Sequence, residues 1–214
     1  MLHKEAIEHN ALELLRVLQQ DSILKDFWLV GGTALALQLG HRKSDDLDFF
    51  TQQDFDTQML LEYLESQYHF TLRYSSVNTL KGVITGTSLD FIAHKYPLAG
   101  KPFIVEGIRM LSIKDIAAMK LNAIAGDGTR VKDFIDIYFI LKHYSLREIL
   151  DFYTLKYTER NLLHTLKSLS WFDDIDEYAW PNMILEPDLN LSKIKAVLAK
   201  YVKSFSGNLA GLTD

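Results

Sequence analysis

The sequence predicts an α/β protein, with a mixed sheet in its N-terminal half and a helical C-terminal half. Three observations carry that reading. Residues 27–30 form an apolar run stopped by Gly31 and Gly32, and runs at 70–74, 80–85 and 88–94 have strand length and strand composition. From Ser112 onward the apolar residues recur at helical spacing instead. No repeat, low-complexity tract or Pro/Gly linker separates the halves, so residues 1–111 are expected to form a core and 112–214 a helical region packed on it.

Taken in order, residues 3–20 are expected to be an amphipathic helix with Ile7, Leu14, Leu15 and Leu18 on one stripe. The buried strand 27–30 runs into Gly31-Gly32-Thr33, a short helix, and a second strand opening with Asp46-Leu47-Asp48. Residues 54–66 fit a helix with Met59, Leu60, Tyr63 and Leu64 inward, and 103–111 fit one further strand after Pro102. Ser112-Ile113-Lys114-Asp115 resembles a capping box, opening a helix that carries Ile116, Ala117, Met119, Leu121 and Ile124. Residues 126–129 (Gly-Asp-Gly-Thr) break it. Helices at 131–143, 146–157, 159–169 and 191–205 complete the pattern, the last with Ile194, Val197, Leu198 and Tyr201 on one side.

Composition narrows the function classes. At 48% hydrophobic and 24% charged residues the chain reads as an ordinary globular protein, with no apolar run of membrane-spanning length. The absence of cysteine excludes disulfides and Cys-based zinc sites and suits the cytoplasm. The N-terminal stretch carries acids and lacks a signal-peptide core. A net charge of −5 argues against broad, non-specific nucleic-acid binding, yet leaves room for a local basic patch.

The chemistry concentrates at residues 30–50. A Gly-Gly turn opening a helix offers backbone N–H groups and the positive end of the helix dipole to phosphate. Residues two apart on a strand share a face, so Asp46 and Asp48 aim at one spot, where a cation such as Mg²⁺ would relieve their repulsion. A phosphate cradle beside a metal pair implies phosphoryl or nucleotidyl transfer. Asp90, flanked by Leu89 and Phe91 on a strand, is read as the third carboxylate of a two-metal site. A strand-end carboxylate capping a turn is the plainer alternative. Asp173-Asp174-Ile175-Asp176 repeats the acidic spacing without a glycine turn and reads as a solvated loop. Asp45 points away from the pair.

This constellation resembles the DNA-polymerase-beta-like nucleotidyltransferase superfamily, and more closely the AbiEii/AbiGii-type nucleotidyltransferase toxins of abortive-infection and toxin–antitoxin systems. The likeness rests on Val30-Gly31-Gly32-Thr33-Ala34-Leu35, Arg42, Ser44 and Asp46-Leu47-Asp48-Phe49. It continues in Ala117-Ala118-Met119-Lys120, Arg130, Asp133, Asp136-Ile137-Tyr138 and Phe172-Asp173-Asp174 before Pro181. The resemblance implies metal-dependent (Mg²⁺ or Mn²⁺) transfer of a nucleoside monophosphate from an NTP. For some relatives the acceptor is a tRNA 3′ end, and a cognate antitoxin is the implied partner. Carried onto these positions, Asp46 and Asp48 would bind metal, and Thr33 with the Gly31-Gly32 backbone would hold the triphosphate. Lys120 would steady phosphate charge, and Asp133 would edge the active site. Arg42 and Arg130 could neutralise the triphosphate or line a wet loop, and Lys120 by itself could be a solvated lysine. A protein or small-molecule acceptor, and a non-catalytic NTP-binding module, are the rival readings.

Overall fold

The computed structural model describes residues 1–210, with side chains described through 205. It divides into two compact units, one of Met1–Tyr96 with Lys101–Leu111, the other of Pro97–Gly100 with the chain from Ser112 on.

The first unit is built on a seven-stranded mixed sheet. Its strands are β1 (Trp28–Val30), β2 (Leu47–Thr51), β3 (Thr71–Ser76), β4 (Thr79–Ile84), β5 (Thr87–Ala93), β6 (Phe103–Val105) and β7 (Ile108–Met110), in the order β3-β4-β5-β2-β1-β7-β6. The central strands β1 and β2 run antiparallel, while β2 pairs with β5 and β1 with β7 in parallel. In β2 the alternation is clean: Leu47, Phe49 and Thr51 are buried, and Asp48 and Phe50 lie on the opposite, partly open face. Phe91 of β5 binds this core together, stacking on Phe49 at 5.2 Å and meeting Phe27 edge-on at 5.4 Å. Each such buried ring contributes about 1.5–3 kcal/mol relative to exposure.

Three helices accompany the sheet: α1 (His9–Gln20), α2 (Gly31–Leu39) and α3 (Thr57–Tyr68). The expected helix over 3–20 is in two pieces. A single 3-10 turn, Lys4–Ala6, comes first, and Glu8 is an extended N-cap whose N–H donates to Asp45 Oδ1 at 2.7 Å. Asp45 therefore tethers the N-terminal segment. In α3 the buried stripe is Leu60, Leu61 and Leu64, and Met59 faces outward, because Asp56 caps the helix two residues later than the sequence suggested. The expected strand 103–111 is a hairpin, β6 to β7, turned by Glu106 and Gly107, both at positive φ.

The second unit is helical: α4 (Ile113–Gly126), α5 (Val131–Ile140), α6 (Leu146–Lys156), α7 (Leu162–Ser168) and α8 (Leu191–Ala210). Helix α4 packs against α5, α6 and α7, and α5 is buried almost all round. Ser112 caps α4, Ser145 and Glu148 form a complete capping box on α6, and Asn161 caps α7. A buried ion pair, Lys156–Asp115 at 2.9 Å, explains why Pro97–Gly100 belongs here. Asp115 accepts from the Ala99 and Gly100 N–H groups, and Lys156 donates to the Pro97 carbonyl.

Candidate active site

In the sheet unit the site grows from one close approach. Gly31 begins α2 with φ +68, a conformation costly for any residue with a Cβ, and a Cβ there would overlap the Asp48 carboxylate. Asp48 comes that near because it faces Val30 across the β1–β2 ladder, one residue from the glycine. Gly32 is equally confined: its Cβ would lie 2.5 Å from Arg42 Nη2 and 3.1 Å from Ser44 Oγ. Val30 supplies no side-chain cap to α2, so the first N–H groups of the helix keep their capacity for an anion.

The loop before β2 is fixed from beneath. Thr33 is buried, and its hydroxyl donates to the Asp46 carbonyl and lies 3.0 Å from Ser44 Oγ. That hydroxyl anchors the Asp46 backbone, a contact the sequence did not announce. Asp46 itself is exposed just ahead of the strand, and Asp48 is half-buried on it. Arg42 does not line a wet loop. It is buried, its guanidinium lies under the Gly32 turn, and its Nη1 donates to the Lys43 carbonyl at 2.9 Å. A buried guanidinium there stiffens the turn from inside.

Asp90 sits opposite Asp48 in the β2–β5 register, as the strand reading placed it. Its carboxylate, however, is in an ion pair with Lys81 of β4. Among the described residues no three His, Cys, Asp or Glu side chains form a group that could hold a metal. Asp90 thus stands beside Asp48 with its carboxylate paired to Lys81, and Asp46 lies exposed just ahead of β2.

The helical unit gathers the second group of expected residues. Lys120 of α4 is buried between Asp133 at 2.7 Å and Asp136 at 2.8 Å, both on α5. Asp133 and Asp136 are one turn apart and share a face, as their spacing predicted. The lysine is buried and pairs with both carboxylates, which could not otherwise both stay charged in a core. Arg130, 60% exposed at the α5 N-cap, brings its Nε to 3.6 Å from Asp133 Oδ2. That oxygen is buried and has no hydrogen-bond partner among the described residues. The preceding turn is held by Asp127, whose carboxyl lies below its usual range because the Thr129 hydroxyl and N–H donate to it.

The acidic loop 173–176 has structural work. Asp174 accepts from the Trp171 indole at 2.8 Å, and Asp176 caps the 3-10 turn Glu177–Ala179 while its N–H donates to the Thr129 carbonyl. Sequence reasoning missed Lys81, whose only signal was its place on a strand next to the one bearing Asp90. It also missed the Lys156–Asp115 pair, because Asp115 looked like an ordinary capping acid.

The family profile described as nucleotidyl transferase AbiEii toxin, type IV toxin–antitoxin system, matches residues 13–78 and 84–199. The chain belongs to the AbiEii nucleotidyltransferase toxin family. An uncharacterised Aquifex aeolicus protein is 36% identical over 167 residues, spanning 75% of this chain and 81% of that one. Among solved structures, a Helicobacter pylori protein described as a nucleotidyltransferase superposes with a TM-score of 0.55 at 19% identity, covering 98% of each chain. The structure of ANT(2″)-Ia in complex with adenylyl-2″-tobramycin gives 0.52 at 14% identity, over 69% of this chain and 96% of that one. These two likenesses show a shared nucleotidyltransferase fold. As an AbiEii-family member the chain is a nucleotidyltransferase, which agrees with the reading of its 30–50 stretch. No helix among the described residues is long and apolar enough to cross a membrane.

Proposed function

We propose that this AbiEii-family enzyme transfers a nucleoside monophosphate from an NTP to the 3′-hydroxyl end of tRNA, as the toxin of a toxin–antitoxin pair. The observation that carries the reading is the Asp48 carboxylate lying on Gly31, at the uncapped start of α2, with exposed Asp46 beside it. The carboxylate oxygens of Asp46 and Asp48 are the donor class that Mg²⁺ and Mn²⁺ take, and the glycine turn leaves no side chain in their way. When bound, such an ion supplies charge neutralisation on the phosphate oxygens.

The chain's own residues do the rest. The α2 N-terminus receives phosphate oxygens through its N–H groups, and Gly31 and Gly32 allow that backbone to come close. Thr33 holds the Asp46 backbone in register with Asp48 through its hydrogen bond to the Asp46 carbonyl. Arg42 and Ser44 support the turn from below. The reaction needs no covalent intermediate: the acceptor hydroxyl attacks the α-phosphorus, the bond to the bridging oxygen breaks, and pyrophosphate leaves with the electron pair. Catalysis by positioning and electrostatics suits a site made of fixed backbone and two carboxylates.

The test is purified protein with Mg²⁺ and each α-labelled NTP, with and without total tRNA, resolved on a gel. Label entering tRNA from one NTP supports the reading and identifies the donor. Label entering the protein or a small molecule moves the acceptor to another class, and NTP binding without transfer to any acceptor overturns the assignment.

A further inference from the structure

Helix α8 carries a charge pattern that the candidate active site does not use. Residues 191–210 hold Lys193, Lys195, Lys200 and Lys203, and no acidic residue. An α-helix turns about 100° per residue, so Lys193, Lys200 and Lys203 share one face, while Lys195 points aside. All three are exposed, and so are the small residues among them, Ala196, Ala199 and Ser204. On the other side of the helix Ile194 and Leu198 are fully buried. Neither Lys200 nor Lys203 has an ion pair among the described residues. They stand one turn apart and repel, with no acid on the helix to offset the cost.

The lysine face is extended near the start of α8. Lys193 and Lys142 share the single carboxylate of Glu186, the Lys193 contact being 2.6 Å, so the trio keeps a net positive charge. Lys142 is also held over the Tyr138 and Phe139 rings, at 4.8 and 4.3 Å from their centroids. A chain of net charge −5 repels a polyanion on average, so a large anionic substrate needs a local gathering of cations such as this.

We propose that the exposed lysine face of α8, continued by Lys142, binds the phosphate backbone of tRNA. The inference rests on the tRNA reading above and names the surface which that reading requires. Lysine ammonium groups meet phosphate oxygens as point charges, so this face supplies affinity and leaves the base sequence unread. A lipid surface fits less well, because the apolar side of α8 is buried in the fold and leaves no anchor to insert.

The test is fluorescence anisotropy of labelled total tRNA titrated with full-length protein across about 50–200 mM KCl, beside the transfer assay. Circular dichroism checks the fold of each variant. Lys200→Gln with Lys203→Gln should weaken tRNA binding about tenfold or more and flatten the log–log salt slope by about 1.4–1.8, as two lost phosphate contacts require. The KM for tRNA should rise with it, and the KM for NTP should stay within about twofold. Lys200→Arg with Lys203→Arg keeps both charges and should bind like wild type. Lys25→Gln with Lys101→Gln, on exposed lysines of the sheet unit, changes net charge equally and should also bind like wild type. Wild-type affinity and salt slope in the Lys200, Lys203 glutamine variant overturn the inference, as does an equal loss in the Lys25, Lys101 control. Unchanged tRNA binding with lost binding to phosphatidylserine vesicles would reassign the face to a membrane. Failure of the tRNA reading looks different. Wild type then binds no tRNA, which overturns both, or binds it through these lysines without labelling it from any NTP, which sinks the transfer alone.

Discussion

The two units handle charge in opposite ways. In the sheet unit, Asp46 is exposed just ahead of β2 and Asp48 is half-buried on it, beside a glycine with no Cβ and a loop fixed by the Thr33 hydroxyl. In the helical unit, Lys120, Asp133 and Asp136 are closed inside α4 and α5 and satisfy one another. The first arrangement leaves its carboxylates partly open to solvent. The second commits its charge to the fold, where removing one member strands the others in low dielectric. Residues of the same chemical type thus meet solvent in one unit and a buried ion-pair partner in the other.

The sharpest way to break this contrast is Lys120→Met. It should destabilise the protein by about 3–5 kcal/mol in chemical denaturation, since two buried carboxylates lose their cation. A loss below about 1 kcal/mol would mean the cluster is wet. Asp48→Asn should do the reverse: transfer falls on the order of 10²–10³-fold, comparable to deleting a key electrostatic group elsewhere, with the melting temperature unchanged or raised. Wild-type turnover in that variant would remove Asp48 from the site.

Smaller changes test the neutral supports. Gly31→Ala should cost about 1–3 kcal/mol through backbone strain at φ +68 and should also reduce transfer, because Asp48 must move off the new methyl. Thr33→Val, nearly isosteric, should cost about 1–2 kcal/mol and loosen Asp46 without unfolding the sheet. Mn²⁺ affinity compared with the denaturation midpoint separates the two effects. An unchanged affinity would show that the loop holds Asp46 without the hydroxyl.

The smallest effect lies in the helical unit and depends on pH. Hydrogen bonds from Lys142 and Lys193, opposed by partial burial and joined by Tyr138, pull the Glu186 carboxyl from 4.5 down to about 2. A depressed carboxyl stabilises the fold fully above its unfolded value. That contribution is lost as pH falls from about 4.5 toward 2. The melting difference between wild type and Glu186→Gln, clear at pH 7, should therefore shrink by pH 3. A constant difference would show that the charge is not what Glu186 contributes.

Much of this was legible beforehand, for local reasons. A strand stopped by two glycines, a short helix and a second acidic strand are all encoded within residues 28–51, so their juxtaposition follows from short connections. Asp133 and Asp136 share a face by helical spacing alone. What was not legible rests on contacts between separate segments of the chain. Lys120 is buried against Asp133 and Asp136 because α5 packs beside α4. Arg42 and Thr33 turned inward because the loop before β2 folds back under the α2 turn.

By itself the sequence determined the α/β and helical halves, the glycine turn, the Asp46–Asp48 pair and the family, because periodicity, turn chemistry and motif spacing are local properties. Only the tertiary structure decided which charges are exposed and which are buried. Strand order set Lys81 against Asp90 and Asp90 against Asp48, and helix packing closed Lys120 between two aspartates. The physical reason is that an ionised side chain takes its role from the dielectric and the partners around it, and both are assembled by segments distant in the chain.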